Sequence, residues 1–300
     1  MNDQTKFKIA GIGEILWDLL PAGKQLGGAP ANFAYHAQSL GADTRLISRI
    51  GDDELGREIV DRLKKLELPL DSVQVDEAHP TGTVSVELDA AGQAKYTINE
   101  GVAWDWIAAS EEAVAAVCEA DAVCFGSLAQ RTAGTRGAVQ ALLAATHPGT
   151  LRIFDVNFRP PFVDRDVILE SLKAANALKL NEHELPFLSE MFELPGTPLN
   201  QLAALAARFD LELIALTRGG EGSLLFADGI HSDRAGLSAK VADTIGAGDS
   251  FTAAMAIGFL KGWPLDQINR RANEIAAFVC SQSGATPQLP RNLRQPFLQA

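Results

Sequence analysis

The stretch Asp243-Thr244-Ile245-Gly246-Ala247-Gly248-Asp249 runs almost directly into an apolar segment over residues 251–260. This order predicts a small-residue loop that opens into a helix beginning near Ala247. Gly246 and Gly248 can adopt backbone angles closed to other residues, so successive N–H groups can point into one concavity. The first helical turn adds unsatisfied N–H groups and the positive end of the helix dipole. The stretch therefore predicts an anion site suited to a phosphate group undergoing transfer.

Asp249 stands at the end of this stretch, beside a site that attracts anions. A carboxylate there repels the anion, and a general base next to a reacting hydroxyl group is one good reason for its presence. A helix N-cap is the alternative, because aspartate is favoured at that position. The stretch alone leaves both interpretations open.

Composition narrows the class of protein. The 300 residues carry a formal net charge of −12, and 47% are hydrophobic and 21% charged. These values predict a sizeable core, in one large α/β domain or in a domain with a small appendage. The acidic balance argues against a nucleic-acid partner or an anionic membrane. It does not exclude an anionic nucleotide, since local N–H groups and a metal ion can override the global charge.

Targeting and redox signals are weak. Residues 1–8 lack the apolar core of a signal peptide, and no apolar run approaches the roughly 18 residues of a membrane span. Cys118, Cys124 and Cys280 are scattered and lack metal-ligand spacing. We expect them to be reduced and mostly buried in a cytoplasmic protein.

Strand-like and helix-like segments alternate along most of the chain. Strands are predicted at 9–12, 44–50, 122–125, 151–156, 177–180 and 213–217, and an edge hairpin at 222–226 and 229–231. Helices are predicted at 30–40, 54–66, 111–118, 134–145 and 167–175, around Glu184 and Leu202, and at 247–261 and 265–281. Repeated strand–helix units indicate an α/β fold with a mostly parallel sheet covered on both faces.

One segment departs from this alternation. Residues 81–88 and 94–99 read as two strands with one polar face, and residues 89–92 read as their turn. A hairpin of this kind within a strand–helix series predicts a small accessory sheet, which we expect to form a lid over the cleft. The chain is therefore predicted to be a single domain over residues 1–300, with a lid inserted at about 81–100.

Polar residues follow several predicted strands, where open α/β sheets bind ligands. Asp18 lies beyond the first strand, and Gly27-Gly28-Ala29-Pro30-Ala31-Asn32 combines close backbone approach with an amide suited to a sugar hydroxyl. A solvated Asp18 and an ordinary Gly-Gly turn are the alternatives. Asp155-Val156-Asn157-Phe158-Arg159 places an acid, an amide and a guanidinium on one side of an extended segment. A surface pair between Asp155 and Arg159 is its alternative.

Two further segments fit a phosphotransferase. Asn181-Glu182-His183-Glu184 suits ligands that reach Mg²⁺ through water. Thr217-Arg218-Gly219-Gly220-Glu221-Gly222 is suited to nucleotide phosphates or ribose, although hairpin turns show the same pattern. A P-loop and a set of protein-kinase signatures are both missing from the sequence.

The order of these motifs resembles the ribokinase-like, PfkB-type sugar kinases from residue 11 to residue 285. Most of the specificity lies in the segments 27–32, with Leu40-Gly41-Ala42 after it, and 243–249. The resemblance implies a ribokinase-like α/β fold whose central, mostly parallel β-sheet is flanked by helices, with a small β-sheet lid. It also implies phosphorylation of a sugar hydroxyl by ATP with Mg²⁺.

The resemblance also implies roles for individual positions. Asp249 matches the catalytic base, and Gly246, Ala247 and Gly248 match the anion hole. The matching sugar-binding positions are Asp18, Gly28 and Asn32, with Asp249 and Arg159 beside the substrate. The matching ATP positions are Asn181, Thr217, Gly219, Gly222, Gly246 and Gly248, with Asn273 beside the adenine, and Glu184 near Mg²⁺. Many members also bind a potassium-like ion, which here would lie at Asp243, the Ile245 backbone and the segment ending at Gly284. Residues Gln282-Ser283 depart from the family pattern, because they lack the basic residues often found there.

Several alternatives for the substrate remain open. The segments 13–18 and 155–159 resemble the fructokinase branch, so fructose is the expected sugar. The same Asp-x-Asn-x-Arg element occurs in 2-keto-3-deoxygluconate kinases, whose acidic substrate would suit Arg159, and ribose or nucleoside kinases come next. A sugar-binding sensor without catalysis is the alternative from another class, against which the intact Asp249 argues. Trp17, Trp104 and Trp106 either shape the pocket or pack in the core, and the exposed lid edge predicts a homodimer.

Overall fold

The computed structural model of the protein describes residues 6–20, 23–88, 94–238 and 240–299, and at residues 86–88 and 94–96 the backbone alone. The strands in these ranges are β1 (Lys8–Ile12), β2 (Leu16–Leu20), β3 (Gly23–Gly27), β4 (Asp43–Gly51), β5 (Val73–Asp76), β6 (Thr83–Leu88), β7 (Ala94–Ile98), β8 (Ala122–Gly126), β9 (Leu151–Asp155), β10 (Ala177–Asn181), β11 (Leu213–Thr217), β12 (Ser223–Ala227) and β13 (Ile230–Arg234). The helices are α1 (Ala29–Ser39), α2 (Glu54–Lys65), α3 (Glu111–Cys118), α4 (Ala133–Ala144), α5 (Arg165–Ala174), α6 (Glu184–Phe192), α7 (Pro198–Phe209), α8 (Ala247–Leu260), α9 (Leu265–Cys280) and α10 (Arg291–Leu298).

The main sheet has nine strands in the order β13-β12-β11-β10-β9-β8-β1-β4-β5. In this spatial order, all neighbouring strands between β11 and β5 are parallel. Strands β12 and β13 add an antiparallel hairpin at the β11 edge. This confirms the predicted fold class and the predicted edge hairpin. Because the parallel strands share one direction, their carboxyl ends meet at one edge of the sheet.

Apolar side chains cover both faces of this sheet. On one face Phe125 and Phe154 pack with residues of α3 to α7. On the other face Phe251 and Met255 of α8 pack with residues of α1, α9 and α10. Residues 250–258 of α8 are all buried, as expected of a helix that is apolar on every side. The start of α8 is therefore held firmly against the carboxyl edge of the sheet.

The second sheet has four strands in the order β3-β2-β6-β7. The predicted hairpin is present as the antiparallel pair β6 and β7, while its predicted turn at 89–92 lies outside the described residues. The sheet is larger than predicted because β2 and β3 join it, with β2 parallel to β6. Asp18 thus lies within a strand of the small sheet rather than in a loop. The parallel pairing of β2 with β6 spans more than 60 residues of sequence, and local patterns do not encode such a distant pairing.

Other differences from the predictions are smaller. Strand β5 and helix α10 were not predicted, because β5 has four residues and α10 carries a proline inside a short polar helix. Cys124 is buried, but Cys118 is exposed and Cys280 is half-buried, so the prediction of mostly buried cysteines is wrong. Among the helices of the described ranges, none has the length and apolar character needed to cross a membrane.

Candidate active site

The first turn of α8 forms the floor of the site. Gly246 is the N-cap residue and has a φ of 78°, in the left-handed region that favours glycine. A Cβ atom at this position would lie 2.5 Å from the carbonyl oxygen of Ala285. Asp249 is the third residue of the helix, so the sequence alternative that made it the N-cap is wrong. The Ala247 N–H group donates to the Thr244 carbonyl oxygen at 3.4 Å, whereas the N–H groups of Gly248 and Asp249 have no intrahelical acceptor and can bind an anion.

Asp249 is hydrogen-bonded to a residue from the amino-terminal part of the chain. Asn32 lies on α1, and its Nδ2 donates a hydrogen bond of 2.8 Å to Asp249 Oδ2. Loss of hydration and the nearby charge of Asp155 raise the pKa of Asp249 to about 6, although the Asn32 hydrogen bond opposes that shift. Asp249 is therefore mostly ionised at neutral pH and close to the range in which a general base is most effective.

Two charged residues near Asp249 were not among the predicted site residues. The side chain of Lys179 is 6% exposed, and its Nζ lies 3.0 Å from Asp155 Oδ1. Glu14 is 4% exposed, and its Oε2 is buried without a hydrogen-bond partner in the described structure. Burial raises the pKa of Glu14 to about 7. The sequence held one signal for Lys179, because a lysine between Leu178 and Leu180 interrupts an otherwise apolar strand.

The carboxyl groups converge on one small cavity. Glu14, Asp155 and Asp249 line it, together with Asn157. The period-two spacing predicted that Asp155, Asn157 and Arg159 would share one side of an extended segment. That prediction is wrong, because β9 ends at Asp155 and Asn157 has a left-handed φ of 41°. The alternative of an Asp155–Arg159 surface pair is also wrong, since Asp155 pairs with Lys179.

The predicted sugar-binding residues come from several elements around this cavity. Asp18 is half-buried on β2, and Arg159 is exposed. Loss of hydration raises the pKa of Asp18, and the charge of Arg159 opposes the shift there as it does at Asp249. Gly28 precedes α1 with a φ of 113°, and a Cβ atom there would lie 2.4 Å from the carbonyl oxygen of Glu14. Gly28 thus allows the close chain crossing that brings α1 to the site.

The predicted nucleotide residues lie at the ends of β10 and β11. Asn181 and Thr217 are direct partners in the parallel register. Asn181 Oδ1 accepts hydrogen bonds from the backbone N–H groups of His183 and Glu184, at 2.9 and 3.1 Å. Glu184 is 3% exposed, and its carboxylate accepts from the N–H groups of Phe158 and Asn181, at 3.0 and 2.7 Å. These bonds fix the start of α6.

The glycine turn after β11 leads into the edge hairpin. Gly219 and Gly222 have left-handed φ values of 50° and 94°, and a Cβ atom on Gly222 would lie 2.0 Å from the carbonyl oxygen of Arg234. Asn273 lies on α9, where its Nδ2 donates to Ser223 Oγ at 2.6 Å and to Asn269 Oδ1 at 2.9 Å. The predicted ATP residues at the sheet edge therefore lie between β10 and β12, while Asn273 lies on α9 and Gly246 and Gly248 lie at the start of α8.

The predicted ion site has a recognisable framework. Asp243 Oδ1 accepts from the Ile245 N–H group at 3.0 Å, and its Oδ2 accepts from the Gly284 N–H group at 3.2 Å. Asp243 therefore ties together the two segments predicted to hold a potassium-like ion. In the described part of the chain, no three His, Cys, Asp or Glu side chains converge as a metal site.

The tryptophans serve packing. Trp17 is buried and donates from Nε1 to the Leu55 carbonyl oxygen at 3.0 Å. Trp104 is fully buried, with the Arg131 guanidinium 3.9 Å from its ring centroid. Trp106 is 42% exposed and stacks on His79 with ring centroids 3.5 Å apart. Stacking of Trp104 on a sugar is excluded by its burial.

The fold and the site together define an α/β phosphotransferase of the ribokinase-like class, with a glycine-capped helix start at the carboxyl edge of a parallel sheet. The family model of the pfkB family carbohydrate kinases matches residues 22–292, and the chain belongs to that family. It is a sugar kinase.

Individual relatives agree with this assignment. The chain is 31% identical to a fructokinase of Klebsiella pneumoniae over 301 residues, covering 94% of this chain and 96% of that protein. It is similar to the crystal structure of an uncharacterized sugar kinase from Pyrococcus horikoshii in complex with ATP, with a TM-score of 0.80 and 30% identity over 93% of this chain and 94% of the other. A fructokinase from Xylella fastidiosa shares the fold, with a TM-score of 0.84 at 18% identity over 97% of this chain and 98% of the other.

Proposed function

We propose that this sugar kinase transfers the γ-phosphate of ATP to a hydroxyl group of fructose, with Asp249 as the general base. The observation that carries the proposal is the 2.8 Å contact between Asn32 and Asp249 at the first turn of α8. It joins a group suited to a sugar hydroxyl to a carboxylate beside an anion hole. Fructokinase relatives such as that of Klebsiella pneumoniae support fructose as the acceptor.

The roles of the chain's residues follow from this geometry. Asp249 accepts the proton of the attacking hydroxyl, and Asn32 holds the carboxylate in place. The N–H groups from Gly246 to Gly248 stabilise the charge on the transferred group, which is the main requirement of phosphoryl transfer. Asp18, Gly28 and Arg159 complete the sugar side. We also propose that residues 1–300 form one kinase domain.

The nucleotide and its ions fit the remaining residues. ATP supplies the transferable phosphoryl group, and Mg²⁺ neutralises its charge. Asn181, Thr217, Gly219, Gly222 and Asn273 would hold ATP. The carboxylate of Glu184 keeps lone pairs beyond its two backbone hydrogen bonds, which suits contact with Mg²⁺ through water. Asp243, Ile245 and Gly284 would hold K⁺.

A 2-keto-3-deoxygluconate kinase is the second candidate, and one observation favours it. Arg159 is exposed, and its charge acts on the carboxyl groups of Glu14, Asp18 and Asp249. A cation in this position can hold a substrate carboxylate through two parallel hydrogen bonds. Fructose offers no carboxylate, so Arg159 separates the two candidates.

The decisive experiment measures ADP release with Mg-ATP against fructose, 2-keto-3-deoxygluconate, ribose, glucose and adenosine, with and without K⁺. The same panel is run on Arg159→Gln, with Arg165→Gln on the exposed start of α5 as the matched control. If fructose is the acceptor, fructose gives the highest kcat/KM, and Arg159→Gln raises its KM by clearly less than tenfold, because no substrate carboxylate loses its partner. A preference for 2-keto-3-deoxygluconate, with a KM raised tenfold or more by Arg159→Gln alone, would replace the first candidate by the second.

We also propose a homodimer formed through the lid, defined as strands β2, β3, β6 and β7. Strands β3 and β7 stand at the two ends of this sheet, and unpaired strand edges favour association with another chain. Light scattering after size exclusion is expected to give about twice the monomer mass of 32.0 kDa. A monomer mass across the micromolar range would exclude the dimer.

A further inference from the structure

A buried ion pair lies beneath the first turn of α8. Lys179 on β10 and Asp155 on β9 are direct partners in the parallel register, and their side chains are 6% and 7% exposed. Thr252 of α8 donates from Oγ1 to Asp155 Oδ2 at 3.2 Å. Burying two charges costs several kcal/mol of hydration, and a well-packed apolar pair would often be as stable. The pair is therefore poorly explained by stability alone.

The lysine of this pair touches the anion hole. A Cβ atom placed on Gly248 would lie 3.1 Å from Lys179 Nζ, so the ammonium group lies against the backbone between Ala247 and Asp249. The only hydrogen-bond acceptor that the described residues provide for Nζ is Asp155. A positive charge thus sits beneath the N–H groups that bind the anion, next to the catalytic carboxylate.

We propose that Lys179 is a positioning residue for phosphoryl transfer, which holds a positive charge under Gly248 and balances Asp155 so that Asp249 stays ionised. The inference rests on the role proposed above for Asp249. Lys179 is then the cation that keeps the half-buried Asp249 ionised next to the buried carboxylate of Asp155.

The charges around Asp249 oppose one another. Asp155 raises its pKa, while Lys179 and Arg159 lower it. Desolvation lowers the pKa of Lys179, but the charges of Asp155, Glu184 and Asp249 outweigh that effect and raise it, so the ammonium stays protonated. The other titratable groups that face this cluster are Glu14 and Cys124. Without Lys179, only the Asn32 hydrogen bond and the exposed Arg159 would oppose the effect of Asp155 on the pKa of Asp249.

The test is the pH dependence of kcat/KM for a neutral sugar, which reports the pKa of the base before the sugar binds. In Lys179→Met the acidic limb is expected to move about one pH unit upward, because an opposite charge nearby has been lost. In Asp155→Asn the limb moves downward. Lys173→Met, which removes a lysine from the exposed face of α5, is the matched control and leaves the limb in place.

A second pair of variants covers the case in which Lys179→Met does not fold, since it leaves Asp155 buried and unpaired. Asp155→Asn and Asp155→Asn/Lys179→Met both lack the unpaired carboxylate, so their difference isolates the lysine. The double variant is expected to have its limb about one pH unit above that of the single variant.

Failure of the inference and failure of the proposed function are distinguishable. If Asp249→Asn keeps wild-type turnover, Asp249 is not the base, and both proposals are overturned. The other outcome is that Asp249→Asn is inactive, but removal of Lys179 leaves the acidic limb of the pH profile in place in both the wild type and Asp155→Asn. Lys179 then serves stability alone, and only this inference is overturned.

Discussion

The first turn of α8 and the lid both contribute predicted site residues, and they differ in the contacts that hold those residues. Around α8, Asn32 contacts Asp249, and Lys179 lies between Asp155 and Gly248. In the lid, Asp18 is half-buried, as Asp249 is, and its neighbour Leu19 is 37% exposed. The α8 side is fixed by polar contacts from three other elements, whereas the lid is anchored by apolar packing of Trp17 and Leu26 against α1 and α2.

We propose that this difference separates the residues that carry out phosphoryl transfer from the residues that select the sugar. Phosphoryl transfer requires reacting groups held to within a fraction of an ångström, which a buried cluster provides. A lid must open and close, and such elements come from the less stable parts of a structure. We therefore expect substitutions at α8 to change kcat and substitutions in the lid to change KM.

The largest expected effect is that of Asp249→Asn. Loss of the base should lower kcat by about 10³-fold, within the range typical of general base catalysis. Binding of Mg-ATP and of sugar, measured by calorimetry, should change by less than about threefold, because Asn can still accept the hydrogen bond from Asn32. Asp61→Asn, on the exposed face of α2, is the control. Retained turnover would show that the α8 side does not carry the chemistry.

Gly246→Ala tests how rigidly the anion hole is held. The left-handed φ of 78° and the Ala285 carbonyl oxygen, 2.5 Å from the new Cβ atom, should together cost about 2–4 kcal/mol of unfolding free energy. We also expect kcat to fall more than tenfold, because the N–H groups must shift. Gly137→Ala is the contrasting change, since Gly137 lies exposed in α4 with no heavy atom within 4 Å of an added methyl group. It should stabilise the protein by about 0.5–1 kcal/mol, and an equal effect of both changes on denaturant unfolding would contradict this prediction.

Glu14 lies between β1 and the first lid strand, β2, and lines the same cavity as Asp249. A substitution there therefore tests the region where the lid joins the α8 side. Burial raises its pKa to about 7 from a usual value of 4.5. The unfolded chain then loses the proton first, and the stability contributed by the protonated form is lost as pH rises from about 4.5 through 7. Glu14→Gln should therefore stabilise the protein by about 3 kcal/mol at pH 8 and have little effect at pH 4. A stabilisation that is the same at both pH values would show that Glu14 is not buried as an ionisable group.

The features that could be predicted from the sequence depend on neighbouring residues, and the features that could not depend on distant ones. The glycine-capped start of α8 was predictable because its signals are contiguous, with two glycines and a helix start within seven residues. The parallel sheet followed from repeated strand–helix units. The joining of the β2–β3 hairpin to the lid was not predictable, because it depends on the parallel pairing of β2 with the distant β6. Lys179 was missed because its function depends on Asp155 in a neighbouring strand.

Asp18→Asn is the lid counterpart of Asp249→Asn and has the smallest expected effect. The change removes a charged acceptor for a sugar hydroxyl, which is worth about 1.5–3 kcal/mol when the bond is made to an ionised group. The KM for the sugar should rise by about tenfold, while kcat stays within about threefold, because the groups around Asp249 are untouched. Thr97→Ala, exposed on β7 of the same sheet, is the control and should leave both constants unchanged. A fall in kcat as large as that of Asp249→Asn would mean that the lid also positions the reacting groups, and the division between the two sides would not hold.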